Sequence, residues 1–165
     1  MTVIANSPNI QAAGWQQVTP VVSTSAYTSG NSVGGKLTLS NACRSKGGAI
    51  ILNDIVVTDE ANQKAALTIL FFNQPLVGTV ADFATPALIP DINNCIGKVT
   101  VAAADYVTLG SDSAAVAQES SLNLLLYNAE TVATQNIYFI IITTGTPTYV
   151  AADDLTITFK FNASL

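Results

Sequence analysis

Residues 155–161 read LTITFKF, in which Leu155, Ile157, Phe159 and Phe161 alternate strictly with Thr156, Thr158 and Lys160. Successive side chains of a β-strand point to opposite faces, so this spacing specifies a strand with one buried face, not an amphipathic helix. The same period recurs in short runs along the chain. Residues 36–40 place Leu37 and Leu39 on one face, residues 49–58 (AIILNDIVVT) place Ile55 and Val57 together, and residues 66–73 (ALTILFFN) align Leu67, Ile69 and Phe71. Residues 97–102, 105–109, 122–127 and 136–144 read as further strands. Residues 18–25 (VTPVVSTS) read as an edge strand, because Pro20 has no N–H to donate to a ladder. Residues 110–120 are softer, and their Ala-Ala-Val-Ala centre fits a short helix.

Eight or nine short strands separated by turn residues form the pattern of an all-β sandwich or barrel. No helices of about 10–15 residues alternate with them, which disfavours a parallel βαβ sheet. Eight antiparallel strands in two sheets is the jelly-roll count. The expected fold is therefore all-β, an antiparallel β-sandwich of jelly-roll type with an extended N-terminal arm. A chain of 165 residues fits one such domain, here read as an arm over residues 1–16 and a sandwich over residues 17–165. The arm is polar and aperiodic but carries Trp15, an indole that gains most by docking on something. Residues 74–94, interrupted by Pro75, Pro86 and Pro90, form a long irregular segment. A loop of that length in a compact domain is usually functional or packed on a partner.

Charged residues make up only 10% of the chain, against about 25% in an average globular domain. So few charges do little to keep copies apart, which implies a homo-oligomer, dimer or trimer, or a permanent component of an assembly. The net charge is −5, and the six basic residues are scattered singly. A phosphate-binding surface needs clustered Lys and Arg, so nucleic acid and anionic membranes are not expected partners. The longest apolar run, residues 137–142 (IYFIII), has strand length and falls far short of a bilayer span. The N-terminal residues lack a basic n-region and an apolar h-region, giving the expectation of synthesis and assembly in a cytoplasm. Cys43 and Cys95 fit no metal-ligand spacing and read as free thiols of a reducing compartment.

The chain has no histidine, which removes Ser-His-Asp and Cys-His catalysis and the usual zinc sites. The adjacent pairs Asp59-Glu60 and Asp153-Asp154 lie in turns and read as solvated turn residues rather than a glycosidase dyad. Asp91, Asn93 and Asn94, with Asp82 nearby, offer oxygen ligands of the kind calcium takes, but these residue types also simply favour turns. No enzyme activity, metal or cofactor is expected. Of the five tyrosines, Tyr149, which follows Thr146-Pro147-Thr148, reads as the most exposed.

Several short patterns occur in a characteristic order: VGGKLTLSNA over residues 33–42, DEANQKAAL over 59–67, LFF over 70–72, GKVTV over 97–101, ADYV over 104–107, GTPTY over 145–149 and DDL over 153–155. Together, over about residues 30–162, they resemble a family of small virion proteins of tailed bacteriophages that decorate or cement the capsid. The resemblance implies a structural protein on the outer surface of an icosahedral head, made in the host cytoplasm and bound to the major capsid protein across neighbouring capsomers. In that role the arm and the 74–94 segment would make the contacts, with Trp15, Pro75, Phe83, Leu88, Ile89 and Tyr149 as the candidate apolar contact residues. The alternative is a receptor- or glycan-binding module of a phage fibre or adhesin, which needs an exposed aromatic platform.

Overall fold

The structure, a computed structural model, describes residues 14–109, 114–129 and 131–163. Ten strands lie among them: β1 (Gly14–Val18), β2 (Ser32–Leu39), β3 (Ala49–Asp59), β4 (Leu67–Phe72), β5 (Cys95–Val101), β6 (Val107–Leu109), β7 (Ala114–Glu119), β8 (Leu124–Tyr127), β9 (Ile137–Thr143) and β10 (Leu155–Ala163). They form two antiparallel sheets, as the alternation requires. Sheet I has the order β1-β10-β3-β7-β6, and β8 also pairs with β3. Sheet II has the order β2-β9-β4-β5. The chain passes from one sheet to the other at every connection except β4 to β5 and the run β6–β7–β8.

The alternating residues meet between the sheets. Leu155, Ile157 and Phe159 of β10 and Ile50, Leu52, Ile55 and Val57 of β3 face Leu67, Ile69 and Phe71 of β4 and Phe139 and Ile141 of β9, all fully buried. Phe71, Phe139 and Phe159 form an aromatic centre with ring centroids 5.0–6.1 Å apart. Each such side chain contributes about 1.5–3 kcal/mol by leaving water, so β3, β4, β9 and β10 hold the two layers together.

Three expectations are corrected. The first strand is Gly14–Val18, paired with β10 from Gly14↔Phe161 to Val18↔Ile157, and not residues 18–25. Residues 14–16 of the expected arm thus belong to the sheet, and residues 1–13 of it lie outside the described residues. Pro20 is buried in the segment after the strand, against Gly34, whose φ is +76° and whose missing Cβ would stand 2.3 Å from Pro20 Cβ. The Ala-Ala-Val-Ala stretch is β7 and not a helix: pairing with β3 from Ile55↔Glu119 to Asp59↔Ala115 overrides a weak helical preference. Ala115 and Ala117 fill the narrow inner face there.

The long 74–94 segment covers the outer face of sheet II. Leu76 and Val80 bury against Phe72 and Ile140, with Leu70, Tyr138, Ile142 and Leu88 packed around them, forming a second small core. Both faces of β4 and β9 are therefore largely dry, which explains why these strands read as nearly continuous apolar runs, while Lys98 and Thr100 of the edge strand β5 stay exposed.

Candidate functional site

The six contact residues picked from the sequence do not converge. Trp15 stands 68% exposed on β1 at one edge of sheet I, while Ile89, 89% exposed, lies in the segment over sheet II. Pro75 and Phe83 are exposed on that same segment, and Leu88 is half-buried beneath it. Tyr149 is corrected outright: it is 1% exposed, with its ring centroid 5.9 Å from that of Tyr27. The segment carrying it folds back because Asp154 accepts the N–H groups of Val150 and Ala151 at 2.6 and 2.7 Å. That turn points Tyr149 into the core and leaves Val150 outside.

Two aspartates fix the cover over sheet II. Asp91 is buried in a 3-10 turn, Ile89–Asn94, and accepts the N–H groups of Val77 and Gly78 at 2.8 and 2.7 Å. A Cβ on Gly78 would fall 2.1 Å from the Ala87 carbonyl oxygen, so this close approach requires glycine. The clamp ties the Val77–Gly78 backbone to the turn that carries Ile89 and Ile92, and all three side chains stand outside, 77%, 89% and 66% exposed. Asp82 accepts from the Tyr27 hydroxyl and from the Gly34 N–H, and Phe83 then stands edge-on to Tyr27 at 5.2 Å. Asp82 and Asp91 thus satisfy their carboxylates with the chain's own donors and are not assembled with Asn93 and Asn94 as a cation cage. No group of three or more metal-ligating side chains occurs among the described residues.

Of the turn carboxylates, Glu60 and Asp153 are exposed as expected, whereas Asp59 and Asp154 are not. Asp59 is 1% exposed and Asp154 9%. Asp59 accepts from the Ala61 and Lys64 N–H groups at 3.1 and 2.7 Å, stitching the turn after β3. Burial pushes its carboxyl above the usual carboxylate range, the negative Asp154 adds to this, and the backbone N–H groups oppose it. Burial also raises the phenols of Tyr106 and Tyr149, whose buried hydroxyls have no hydrogen-bond partner among the described residues. Beside this end lies an open cleft of about 340 Å³, lined by residues 63–66, Ala103 and residues 144–147. Lys64 is the single ionisable side chain on that lining, so the cleft presents no acid–base pair. Cys43 is buried and Cys95 exposed, and both are free thiols.

The outer face of sheet I carries a further set of exposed apolar residues. The outward rows of sheet I follow from the register: Trp15–Lys160–Asp54, Val56 between Thr158 and Gln118, Thr156–Thr58–Val116–Val107, and Ile51 between Asn162 and Leu125. Val107, Leu109, Leu125 and Tyr127 on this face are 66%, 50%, 53% and 44% exposed. The signal was present: AIILNDIVVT and LNLLLY carry apolar residues in both phases of the strand. Only the inward phase was read as meaningful. None of the protein-family models, curated proteins or solved structures compared with the chain matches it.

Proposed function

We propose that the chain is a non-catalytic virion structural protein that binds the outer surface of an icosahedral phage head and cements neighbouring capsomers. The observation that carries this reading is a pair of exposed apolar surfaces on opposite sides of one rigid sandwich. One is the outer face of sheet I; the other is the Val77–Ile89–Ile92 patch on the cover of sheet II. A cement protein must be held on more than one side, by capsid subunits or by a second copy of itself, and surfaces of this kind on a domain with few charges bury readily. The ordered sequence patterns that resemble phage decoration proteins point the same way. So does the strand order, β1-β10-β3-β7 against β2-β9-β4-β5, which we read as a jelly roll.

The mechanism is linkage. A protein that binds the assembled shell better than its separated parts stabilises the shell in proportion to occupancy. Internal pressure from packaged DNA strains the boundaries between capsomers, and a clamp across them resists that strain without chemistry. Pro75, Phe83, Leu88 and Ile89 then belong to the capsid-facing side, bound to the major capsid protein. The glycan-binding alternative needs clustered exposed aromatics, whereas Tyr27, Tyr106 and Tyr149 are buried. Trp15 and Tyr127 lie on separate strands with β10 and β3 between them.

The test is quantitative mass spectrometry of purified virions with heads and tails separated. The expected result is a copy number in the head fraction comparable to that of the major capsid protein. A few copies confined to tails, or none in virions, overturns the proposal.

A further inference from the structure

We infer that the outer face of sheet I is the surface through which two copies of this chain pair, sheet against sheet. The contrast between the two sheets motivates this. Sheet II has an apolar outer face, and the chain covers it with its own 74–94 segment. Sheet I is apolar on the outer side of β3, β6, β7 and β8 and polar along β10, and nothing among the described residues covers that side. Antiparallel sheets with one wet face normally alternate apolar-in and polar-out. Here β3, β6, β7 and β8 present Ile51, Val56, Val107, Val116 and Leu125 outward, half-buried or exposed.

The dimensions fit a protein partner. Five strands in the order of sheet I at about 4.8 Å spacing span about 24 Å. The nine residues of β10 run about 30 Å. Because β1, β7 and β6 are shorter, with 5, 6 and 3 residues, the face comes to about 600 Å² with β8 included, approaching the roughly 800 Å² that each partner contributes to a stable interface of standard size. Trp15 and Tyr127, toward opposite sides of the face, are the residue types that anchor such contacts.

Charge selects a second copy as that partner. The chain carries a net −5, so copies repel over most of their surface. The outward positions of sheet I hold one Lys and one Asp, Lys160 and Asp54, adjacent in the β10–β3 register. This face is therefore neutral, and it is where two acidic copies approach with least repulsion. A two-fold contact is self-complementary by construction, so the patch that offers Lys160 to the other copy also offers it Asp54. The inference takes up the self-association expected of so weakly charged a chain and does not rest on capsid binding.

The test is sedimentation velocity on the isolated full chain, with Val56→Lys and Val116→Lys variants and Ile89→Lys as a control on the opposite surface. Wild type and Ile89→Lys are expected to sediment as dimers at micromolar concentration. Each sheet I variant is expected to weaken dimerisation about tenfold or more, since a lone charge is driven into the contact. Circular dichroism melts establish that each variant is folded; if either lysine unfolds the chain, Tyr127→Asp, at an exposed position, reads the same equilibrium. A monomeric wild type, a larger ring, or a dimer indifferent to the sheet I substitutions overturns the proposal. Because no capsid is present, that failure leaves the head-binding reading standing, and absence from virions would leave the dimer standing.

Discussion

The Tyr27 hydroxyl donates to the Asp82 carboxylate at 2.6 Å across 55 positions of sequence. The same phenol oxygen accepts the Ser23 N–H at 2.7 Å, and the same Asp82 oxygen accepts the Gly34 N–H at 2.7 Å. One buried ring thus ties together the segment after β1, the start of β2 and the cover of sheet II. Bonds of this kind set where the exposed surfaces stand, because the cover of sheet II is tied at Asp82 to segments far away in the chain.

Replacing Tyr27 with Phe keeps the ring and removes both bonds. Hydrogen bonds to a charged group contribute about 1.5–3 kcal/mol, and the Ser23 N–H is left to find water. The expected loss is about 2–3 kcal/mol, or a fall in Tm of about 5–10 °C for a domain of this size. A thermal melt followed by circular dichroism checks it. An unchanged Tm would mean that the phenol is ornamental.

Asp91→Ala acts locally. It strips the acceptor from the Val77 and Gly78 N–H groups, while the main core between the sheets shares no contact with that carboxylate. Hydrogen exchange at the Gly78 amide should accelerate by about one to two orders of magnitude, the cost of one unsatisfied buried donor. Amides of Phe139 and Ile141 should keep their protection. A uniform loss across the molecule would show that the cover is part of the global folding unit.

The raised carboxyl of Asp59 gives a pH dependence with a definite sign. Folded, it holds its proton to higher pH than the unfolded value of about 3.9, because burial and the neighbouring Asp154 disfavour its charge. Its stabilising contribution is fully present below the unfolded value and is lost as pH rises through the folded one. Glu119 shifts in the same direction, through burial and Asp105, so the effect is read by difference. Denaturant unfolding across the carboxylate range should show Asp59→Asn less stable at low pH, where it lacks an acceptor for one N–H, with the gap narrowing as pH rises. A gap that widens with pH would reverse the assignment.

The strands were legible wherever one face is buried and the other is not. Residues 155–161 were read with the right inward residues because Thr156, Thr158 and Lys160 leave period two no competing explanation; in residues 66–73, Leu67, Ile69 and Phe71 were read inward although Leu70 and Phe72 are apolar in the other phase and pack in the second core. β7 was misread because Ala-Ala-Val-Ala carries no strong preference, and its pairing with β3 comes from 60 residues away by register, Val57↔Ala117. The position of β1 was missed for a related reason: Gly14–Val18 gains its stability from β10 at the far end of the chain. The burial of Tyr149 and of Asp59 depends on turns closed by side chains, Asp154 on Val150 and Asp59 on Lys64, and no local pattern announces which turn side faces the core. Residues 74–94 were legible as a long irregular segment. Its attachment through Asp82 and Asp91 is a matter of three-dimensional neighbours.

The pairing of Gly34 with Pro20 carries the last prediction. A Cβ at position 34 meets Pro20 Cβ at 2.3 Å, and the +76° φ is itself unfavourable for any side chain. Gly34→Ala should therefore cost more than the about 1–2 kcal/mol of left-handed backbone alone. The two causes separate in a double-mutant cycle. Pro20→Gly removes the colliding atom while leaving φ at position 34 unchanged, and its own loss through a more disordered unfolded state is measured by the single variant. Urea unfolding of all four proteins should show Gly34→Ala costing less in the Pro20→Gly background, by a coupling of about 1 kcal/mol or more. What remains is the backbone strain, which no neighbour relieves. If the two substitutions simply add, Pro20 does not press on Gly34, and the turn after β1 is positioned instead by the Tyr27–Asp82 tie and the Val22 N–H bond to the Ala152 carbonyl.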